Sequence, residues 1–358
     1  MSTNMHPDRS GNPLLSICIA SMGRPRELFA QVSRLLNMTN HLPVEIVVVD
    51  ASKTEDQLRL SDSRLRVLCL EKANGIDADY DLAVEAAVGT YCWLFTDDDL
   101  PDADAAERIV AALLEPVSPG LVLIDARVLD PNGNALRDTM LDPFCRLEVP
   151  AQGEVTALSG AAGLLTYIGS VVIERAEWLA RRSDQHLGSE FQHVGFILSG
   201  PFVRPIKVLS PPAISIRYGV AHWESRALRV WTHQWPQLIR SSLTDKDSWA
   251  KFSAASIQSQ AHSLLSFRAR RIFNRSFVRS VYPLETSVFR RAIFSVIAST
   301  PILVAQYLVL GAARVFRQDA RAIRFDISRS KTLGPSNSVV PSTTRWATAT
   351  FDTFEGQE

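Results

Sequence analysis

The stretch that decides the fold is Tyr91-Cys92-Trp93-Leu94-Phe95-Thr96-Asp97-Asp98-Asp99-Leu100. Its first five residues are all aromatic or apolar, which predicts a short strand buried on both faces, as in a parallel sheet. Three carboxylates follow, and open α/β sheets bind ligands just beyond the carboxyl ends of their strands. Because divalent cations prefer oxygen ligands and offset the repulsion between adjacent acids, the sequence predicts a metal and diphosphate site here. The alternative interpretation is a solvated acidic turn before a helix that Asp102 caps.

Strands and helices alternate on both sides of this stretch. The predicted strands cover residues 14–20, 44–50, 64–70, 91–95, 120–129, 167–173 and 203–209. The predicted helices cover residues 25–36, 79–88, 103–114, 174–182 and 228–243. This alternation with short loops predicts an α/β fold with a mostly parallel central sheet flanked by helices.

The composition is that of a globular protein whose charge is unevenly spread. Of 358 residues, 46% are hydrophobic, enough for one large core or two smaller ones. The formal net charge is zero, but the first third is acid-rich, and basic residues far outnumber acidic ones between 268 and 331. This asymmetry predicts an anionic partner for the C-terminal part. The segment has few aromatic residues and no nucleic-acid motif, which favours an anionic membrane surface over nucleic acid.

The termini and the cysteines predict a compartment. Residues 1–13 are polar and lack the apolar core of a secretory signal. The four cysteines have no metal-type spacing, and three of them fall in predicted strands, which favours small buried side chains in a reducing environment. We therefore expect a cytoplasmic protein that is peripherally associated with the inner face of the cell membrane.

The same patterns predict four regions. Residues 1–13 and 328–358 are expected to be disordered, and the C-terminal one is polar and rich in serine and threonine. Residues 14–245 form the α/β domain, divided into halves at 14–130 and 131–245. Residues 246–327 form a helical extension that is basic and apolar.

An uncharged run of 22 residues, 292–313, lies within that extension. As one helix it would measure about 33 Å, enough to cross a bilayer. Arginines flank both ends, so the charge pattern does not select an orientation. Three interpretations stay open: the run lies in the membrane interface or is re-entrant, it spans the bilayer, or it packs on the protein.

Several of these segments together resemble a known family. They are the loop 21–25, the strand end Asp50-Ala51-Ser52, Gly75 before a helix ending in Ala86-Ala87-Val88-Gly89, and the triplet Asp97-Asp98-Asp99. Over about residues 14–130 the chain resembles family 2 glycosyltransferases of the GT-A fold. Residues 160–240 are similar to the abequosyltransferase-like bacterial branch, through Tyr167-Ile168-Gly169-Ser170 and Phe191-Gln192-His193.

The resemblance implies roles in binding a nucleotide-sugar donor. The residues expected around the donor are Ser21, Arg24, Asp50, Ser52, Gly75, Asp77, Asp81 and Asp98. Asp50 would contact the nucleobase or ribose, Arg24 the diphosphate, and Asp98 the sugar. Asp97 and Asp99 would hold Mg²⁺ or Mn²⁺ between the two phosphates, where the metal neutralises the departing nucleotide.

The resemblance also implies an inverting displacement, which needs a base for the acceptor hydroxyl. The family usually takes this base from a Glu-Asp pair about ninety positions after the metal motif, and this chain has Ser189-Glu190 there. Glu190 or His193, on one helical face, is the predicted base. His222 and Trp223 could shape the site of a saccharide acceptor, which we expect to be lipid-linked, as in surface polysaccharide or glycoconjugate synthesis.

Three other functions fit the sequence less well. A nicotinamide-dependent dehydrogenase needs a glycine-rich first turn, and Gly23 stands alone there. A sugar-nucleotide nucleotidyltransferase needs a longer glycine-rich loop after the first strand. A non-catalytic nucleotide-sugar binding or scaffold protein at the membrane would keep Asp50 and the sheet but lack a working base.

Overall fold

The computed structural model describes residues 12–52, 58–219, 230, 234–243, 260–281, 288–315 and 320–332. The strands are β1 (Leu15–Ser21), β2 (Val44–Asp50), β3 (Leu65–Cys69), β4 (Tyr91–Phe95), β5 (Leu100–Pro101), β6 (Leu121–Leu129), β7 (Ala135–Arg137), β8 (Glu148–Val149), β9 (Val171–Glu174) and β10 (Ile206–Arg217). The helices are α1 (Pro25–Met38), α2 (Ile76–Ala86), α3 (Ala105–Leu113), α4 (Ala162–Leu165), α5 (Arg175–Ala180), α6 (Gln192–Leu198), α7 (Trp235–Ser242), α8 (Gln260–Ala269), α9 (Arg275–Val281), α10 (Val288–Ser299), α11 (Ile302–Val315) and α12 (Ala320–Thr332).

All the strands belong to one sheet, in the order β3-β2-β1-β4-β9-β6-β10-β5, with β7 paired to β6 and β8 to β10. Neighbours from β3 to β4 are parallel, as are β6 and β10. Strand β9 runs antiparallel to both β4 and β6, so it alone is reversed among the longer strands of the described chain. The predicted α/β fold with a mostly parallel sheet is therefore confirmed.

The apolar runs form the centre of the sheet because they are covered on both faces. Every residue of β1, β2 and β4 is buried, and Trp93 and Phe95 are fully enclosed. The Trp93 indole donates to the Gly169 carbonyl oxygen at 2.8 Å. A sequence that is apolar at every position needs such two-sided burial, which an exposed sheet face would not provide.

Several local predictions in the α/β domain were wrong. Helix α2 begins at Ile76 rather than at 79, and β10 begins at Ile206 and continues to Arg217, beyond the predicted strand 203–209. The segment predicted as a strand over 167–173 begins with a 3-10 turn at Ile168–Ser170, because the Ser170 hydroxyl bonds to the carbonyls of Leu164 and Tyr167. Helix α3 starts at Ala105 rather than at 103, and Asp102 does not cap it with its side chain. Asp102 instead pairs with Arg127 at 2.7 Å and so links the loop to β6.

The C-terminal extension divides the apolar run into two helices. Helix α10 ends at Ser299 and α11 begins at Ile302, with Pro301 between them. Proline cannot donate the backbone hydrogen bond that would continue the helix, and it disfavours helical backbone in the residue before it. Arg268 further fixes the break, since its Nε donates to the Thr300 carbonyl at 2.8 Å.

This break changes how the run can meet a membrane. In the described part of the chain, no single helix has the length and apolarity to cross a bilayer. The pair 291–299 and 302–315 passes that test only when taken together, and it is bent by 106°. In the structure the uncharged run therefore forms two helices, α10 and α11, rather than one helix of 22 residues.

The predicted disordered regions lie mostly outside the described residues. Residues 1–11 and 333–358 are not described, but residues 328–332 belong to α12, so the predicted start of the tail was wrong. Helix α12 packs against the α/β domain. Arg321 pairs with Asp138 at 2.6 Å, and the Tyr218 hydroxyl donates to Asp326 at 3.1 Å.

Candidate active site

The acidic triplet lies where the parallel strands end. Strand β4 pairs with β1, and β1 pairs with β2, so the chain segments that follow these three strands meet at one edge of the sheet. Ser21 and Asp50 are partners in register at that edge. The structure thus brings the predicted donor residues of the first two strand ends next to Asp97–Asp99.

Arg24 is the charge partner of the triplet. Its NH1 group contacts Asp97 Oδ1 at 3.2 Å and also bonds to Asp98 Oδ2, and the Arg24 side chain is only 12% exposed. Burial lowers the pKa of Arg24, but the hydrogen bonds and charges of Asp98 and Asp97 outweigh it, so the pKa is raised. Arg24 is thus a largely buried cation shared by two carboxylates of the triplet.

Asp97 is held from a second side by Ser21. The Ser21 hydroxyl donates to Asp97 Oδ2 at 2.5 Å, so both oxygens of Asp97 have partners. Burial raises the pKa of Asp97, and repulsion from Asp98 adds to it, while the Ser21 and Arg24 hydrogen bonds oppose the shift. Asp97 therefore anchors the loop to β1 and α1.

Asp99 points into the protein. Its carboxylate accepts from Thr96 Oγ1 at 2.6 Å and from the Arg217 backbone N–H at 2.9 Å, and the residue is 4% exposed. Burial, together with the charge of Asp98, raises the pKa of Asp99 to about 6. Next to it, the Tyr167 hydroxyl is buried without a hydrogen-bond partner of good geometry in the described chain, and burial and the Asp99 charge raise the pKa of Tyr167.

These contacts do not arrange the triplet for a metal ion. The oxygens of Asp97 and Asp99 that were predicted to bind a metal are used by Ser21, Arg24, Thr96 and the Arg217 backbone. Across the described ranges, no group of three or more His, Cys, Asp or Glu side chains is placed to hold a metal. The donor atoms have the right chemistry for a divalent cation, but in this arrangement they bond to other protein groups.

The acidic loop is held by two residues that the sequence prediction missed. Gln31 of α1 donates to the carbonyls of Thr96 at 3.1 Å and Asp99 at 2.7 Å. The Tyr80 hydroxyl of α2 donates to the Phe95 carbonyl at 2.7 Å. A signal existed for Gln31, because it is a polar residue on the otherwise apolar buried face of α1.

Asp50 and Ser52 shape the loops beside the triplet. Asp50 is fully buried, and its carboxylate accepts from the backbone N–H groups of Ser52 at 2.9 Å and Leu58 at 2.7 Å. The Ser52 hydroxyl accepts from the Gly23 N–H at 2.9 Å, where Gly23 has a φ of 69°. Both side chains therefore support the turns next to Arg24.

Gly75 and the two acids after it begin α2. Gly75 precedes the helix with a φ of 101°, a conformation that favours glycine. Asp77 and Asp81 were predicted around the donor, but the structure places both against the second half of the domain. Asp81 accepts from the Trp178 indole and from Arg182, each at 2.9 Å. Asp77 accepts from the backbone of the segment that carries Glu190.

The two predicted bases differ sharply in environment. His193 is 3% exposed, its Nε2 lies 2.9 Å from the Leu165 carbonyl, and burial lowers its pKa to about 4. Glu190 is half-buried and has a φ of 67°, in the left-handed region. The structure thus places His193 in the core and Glu190 in a constrained loop. His222 and Trp223 lie outside the described residues.

Comparisons with known proteins bear on the segment that carries this site. Residues 16–152 match the family described as Glycosyl transferase family 2. The match covers less than half of the chain, and it includes the triplet, Arg24 and Asp50. It identifies this segment as a glycosyltransferase domain and the protein as an enzyme of that class. No curated protein matches the sequence.

Solved structures share the fold at low identity. The mannosyltransferase PcManGT from Pyrobaculum calidifontis, in complex with GDP-Man and Mn²⁺, has 14% identity and a TM-score of 0.50, over 92% of this chain and 90% of that chain. S. aureus TarS 1-349 has 14% identity and a TM-score of 0.47, over 89% of this chain and 90% of that one. The fold is accordingly that of GT-A glycosyltransferases, with a helical C-terminal extension.

Proposed function

We propose that this enzyme transfers a glycosyl group from a nucleotide-sugar donor to a saccharide acceptor, with inversion at the anomeric carbon. The observation that carries the proposal is the acidic triplet beside Arg24 at the carboxyl edge of the sheet, within the matched segment. Surface polysaccharide or glycoconjugate synthesis, with a lipid-linked acceptor, is the process that fits best. The abequosyltransferase-like branch stays a prediction.

Arg24 would receive the donor's diphosphate. Its guanidinium carries a raised pKa and lies between the loop after β1 and the triplet. As the bond between the anomeric carbon and the diphosphate oxygen breaks, negative charge grows on the departing nucleotide. A fixed cation at that point stabilises the charge without reorganising.

Glu190 is our choice for the base. Its carboxylate would take the proton of the acceptor hydroxyl while that oxygen forms the new bond to the anomeric carbon. The electron pair of the old bond leaves with the nucleoside diphosphate. His193 is a poor candidate, because its buried ring is held by the Leu165 carbonyl and its pKa is about 4.

A divalent cation, Mg²⁺ or Mn²⁺, stays part of the proposal as a partner of the diphosphate. Asp97–Asp99 supply the oxygen chemistry that such ions prefer. The Mn²⁺ and GDP-Man of the similar mannosyltransferase also give practical probes. The roles of Arg24 and Glu190 do not depend on the metal.

The test is release of nucleotide from a panel of donors that includes GDP-mannose and UDP-N-acetylglucosamine, each with EDTA, Mg²⁺ or Mn²⁺. We expect turnover with at least one donor, and a thermal shift with the same donor because ligands raise apparent stability. Arg24→Gln should raise the KM at least tenfold, whereas Arg26→Gln, two residues on and exposed, is the matched control.

The outcomes separate the parts of the proposal. Binding of a donor without turnover would favour the scaffold alternative. Equal turnover in EDTA and in Mn²⁺ would show that the reaction does not need a metal ion. Glu190→Gln should slow turnover by at least about 100-fold, in the range of general base catalysis. If Arg24→Gln and Arg26→Gln behave alike, Arg24 does not bind the diphosphate.

We also propose that the extension holds the enzyme on the inner face of the membrane. Helices α10 and α11 bury one set of apolar residues and expose another, including Val296 at 68%, Leu303 at 68% and Tyr307 at 78%. Arg275 and Arg314 are exposed nearby in sequence. An exposed apolar face with basic residues suits an anionic bilayer surface.

Co-sedimentation with vesicles tests this surface. The full-length protein should bind vesicles that contain phosphatidylglycerol and bind pure phosphatidylcholine less. Leu303→Ser with Tyr307→Ser should weaken binding about tenfold or more, while Phe144→Ser, at a 93% exposed position outside the extension, should not. Equal binding of all variants would contradict the proposed surface.

A further inference from the structure

The segment that carries Glu190 is held in an unusual conformation. Glu190 has a φ of 67°, and Gly188, two residues before it, has a φ of 80°. A non-glycine residue in the left-handed region persists only where its surroundings impose it, and such residues cluster at functional sites. The neighbours that impose this conformation can be identified.

Asp77 holds the segment from the side of α2. Its Oδ2 accepts from the Glu190 backbone N–H at 2.9 Å, and its Oδ1 accepts from the Gln192 N–H at 3.1 Å. Asp77 is 6% exposed and lies in the first turn of α2, where the helix dipole favours a negative charge. Burial raises its pKa, and the backbone N–H groups of the segment oppose that shift.

Two residues of α7 and its entry hold the same segment from another side. Gln234 Nε2 donates to the Gly188 carbonyl at 3.1 Å. The rings of Phe191 and Trp235 pack edge to face, with their centroids 5.0 Å apart. Glu190 therefore lies between two fixed neighbours, and Asp77 supplies the direct hydrogen bond to its backbone.

Helix α2 connects this segment to the acidic loop. Tyr80, three residues after Asp77, donates to the Phe95 carbonyl at the end of β4, immediately before the loop. Three helical residues advance about 4.5 Å along the axis. The backbone of Glu190 and the last residue of β4 are thus bonded to the same turn of one helix, although they are far apart in sequence.

We propose that Asp77 is a positioning residue that sets the distance between Glu190 and the donor site. This inference rests on the proposed function, since it takes Glu190 as the base. Asp77 acts through the backbone: its two oxygens fix the N–H groups on both sides of Phe191 and thereby the direction of the Glu190 side chain. Asparagine could supply only one acceptor and would turn an amide N–H toward the second donor.

The experiment compares Asp77→Asn with Asp81→Asn in the full-length protein. Asp81 lies one turn further along the same face, and within the described chain its hydrogen bonds go to Trp178 and Arg182 rather than to the Glu190 segment. Hydrogen exchange should speed up about tenfold or more at the amides of Glu190 and Gln192 in Asp77→Asn only. A general loss of stability would instead speed up exchange at amides throughout the core, so the same measurement separates the two effects.

Kinetics add a second readout, measured as nucleotide release from the most active donor of the panel above. Asp77→Asn should lower kcat by about 10- to 100-fold with KM changed less than about threefold, since small misplacements of a catalytic group have effects of this size. Asp81→Asn leaves the hydrogen bonds of Asp77 to the Glu190 segment in place, so it should lower kcat at least about fivefold less than Asp77→Asn. The double variant Asp77→Asn/Glu190→Gln should be no slower than Glu190→Gln alone, because residues that act as one unit are not additive.

Several outcomes would overturn the inference. They are equal losses of kcat in Asp77→Asn and Asp81→Asn, wild-type turnover in Asp77→Asn, or a double variant slowed by the product of the single effects. Should Asp77→Asn fail to fold, Asp77→Glu keeps the charge and displaces the segment by one methylene, and it should lower kcat with KM kept. Wild-type turnover of Glu190→Gln would instead refute the proposed base, while hydrogen exchange still reports whether Asp77 holds the segment.

Discussion

Replacing His193 with glutamine should change how stability depends on pH and leave turnover at pH 7.5 within about threefold of wild type. His193 is 3% exposed, and its Nε2 lies 2.9 Å from the Leu165 carbonyl. Glutamine has a similar reach and can donate to the same carbonyl, but it does not titrate. The variant therefore removes a proton-binding group while keeping the hydrogen bond.

The size of the effect follows from proton linkage. Burial lowers the pKa of His193 to about 4, whereas a histidine in an unfolded chain titrates near pH 6.5. Between these values the unfolded chain binds a proton that the native protein does not, so the free energy of unfolding falls as the pH falls. A difference of about 2.5 pKa units corresponds to about 3 kcal/mol at pH 4, of which about 2.5 kcal/mol is reached at pH 4.5.

Urea denaturation at pH 7.5 and pH 4.5 measures how the protonation of His193 changes the free energy of unfolding. Taking the difference between wild type and His193→Gln cancels the other titrating groups, among them the buried carboxylates whose raised pKa values act in the opposite direction. Between pH 7.5 and pH 4.5, the free energy of unfolding should fall by about 2.5 kcal/mol more in wild type than in the variant. The ring packing that glutamine lacks lowers stability by the same amount at both pH values and does not enter the comparison.

Two results would refute this reasoning. If wild type and His193→Gln lose the same free energy between pH 7.5 and 4.5, His193 is not a buried neutral side chain. If the variant loses turnover by orders of magnitude at pH 7.5 with its stability intact, His193 is the base and Glu190 is not.

Other substitutions test the packing around the site. Arg24→Met leaves Asp97 and Asp98 without their cation and should lower the free energy of unfolding by about 2 kcal/mol at pH 8, measured with urea; no loss would mean that the ion pairs contribute nothing. Gly89→Ala would place a Cβ 2.9 Å from the Ser16 backbone nitrogen and should cost about 1–3 kcal/mol. Gly311→Ala, in open space on α11, should instead stabilise by up to about 1 kcal/mol, so equal melting temperatures for the two alanine variants would contradict both expectations.

Local patterns were sufficient to predict the centre of the fold. The run 91–95 is apolar or aromatic at every position and 46–49 is apolar throughout, and only a sheet covered on both faces accommodates such runs. The sequence could not predict that β9 enters between β4 and β6 in the reverse direction, because pairing between distant strands leaves no local signal. The break at Pro301 has a local cause, because proline interrupts a helix, whereas the bend of 106° between the two helices depends on tertiary contacts.

The site was predictable where its residues follow strand ends. Ser21, Arg24, Asp50 and the triplet meet at one edge because parallel strands end together. Which oxygen pairs with which donor was not predictable, since the Arg24 and Ser21 contacts with Asp97 join residues more than seventy positions apart. We expected carboxylates that were free to bind a metal. In the structure their oxygens accept hydrogen bonds from residues that are distant in sequence.

The acids of α2 show why proximity in sequence misleads. Asp77 and Asp81 follow the loop at Gly75 and were therefore predicted around the donor. They are four residues apart, however, so they lie on the same face of α2. That face is covered by the second half of the domain, through the Glu190 segment for Asp77 and through α5 for Asp81. Tyr80, between them, turns toward the end of β4. One helix thus contacts both halves of the domain within a single turn, and a displacement of α2 would change the distance between Glu190 and the acidic loop without altering either group.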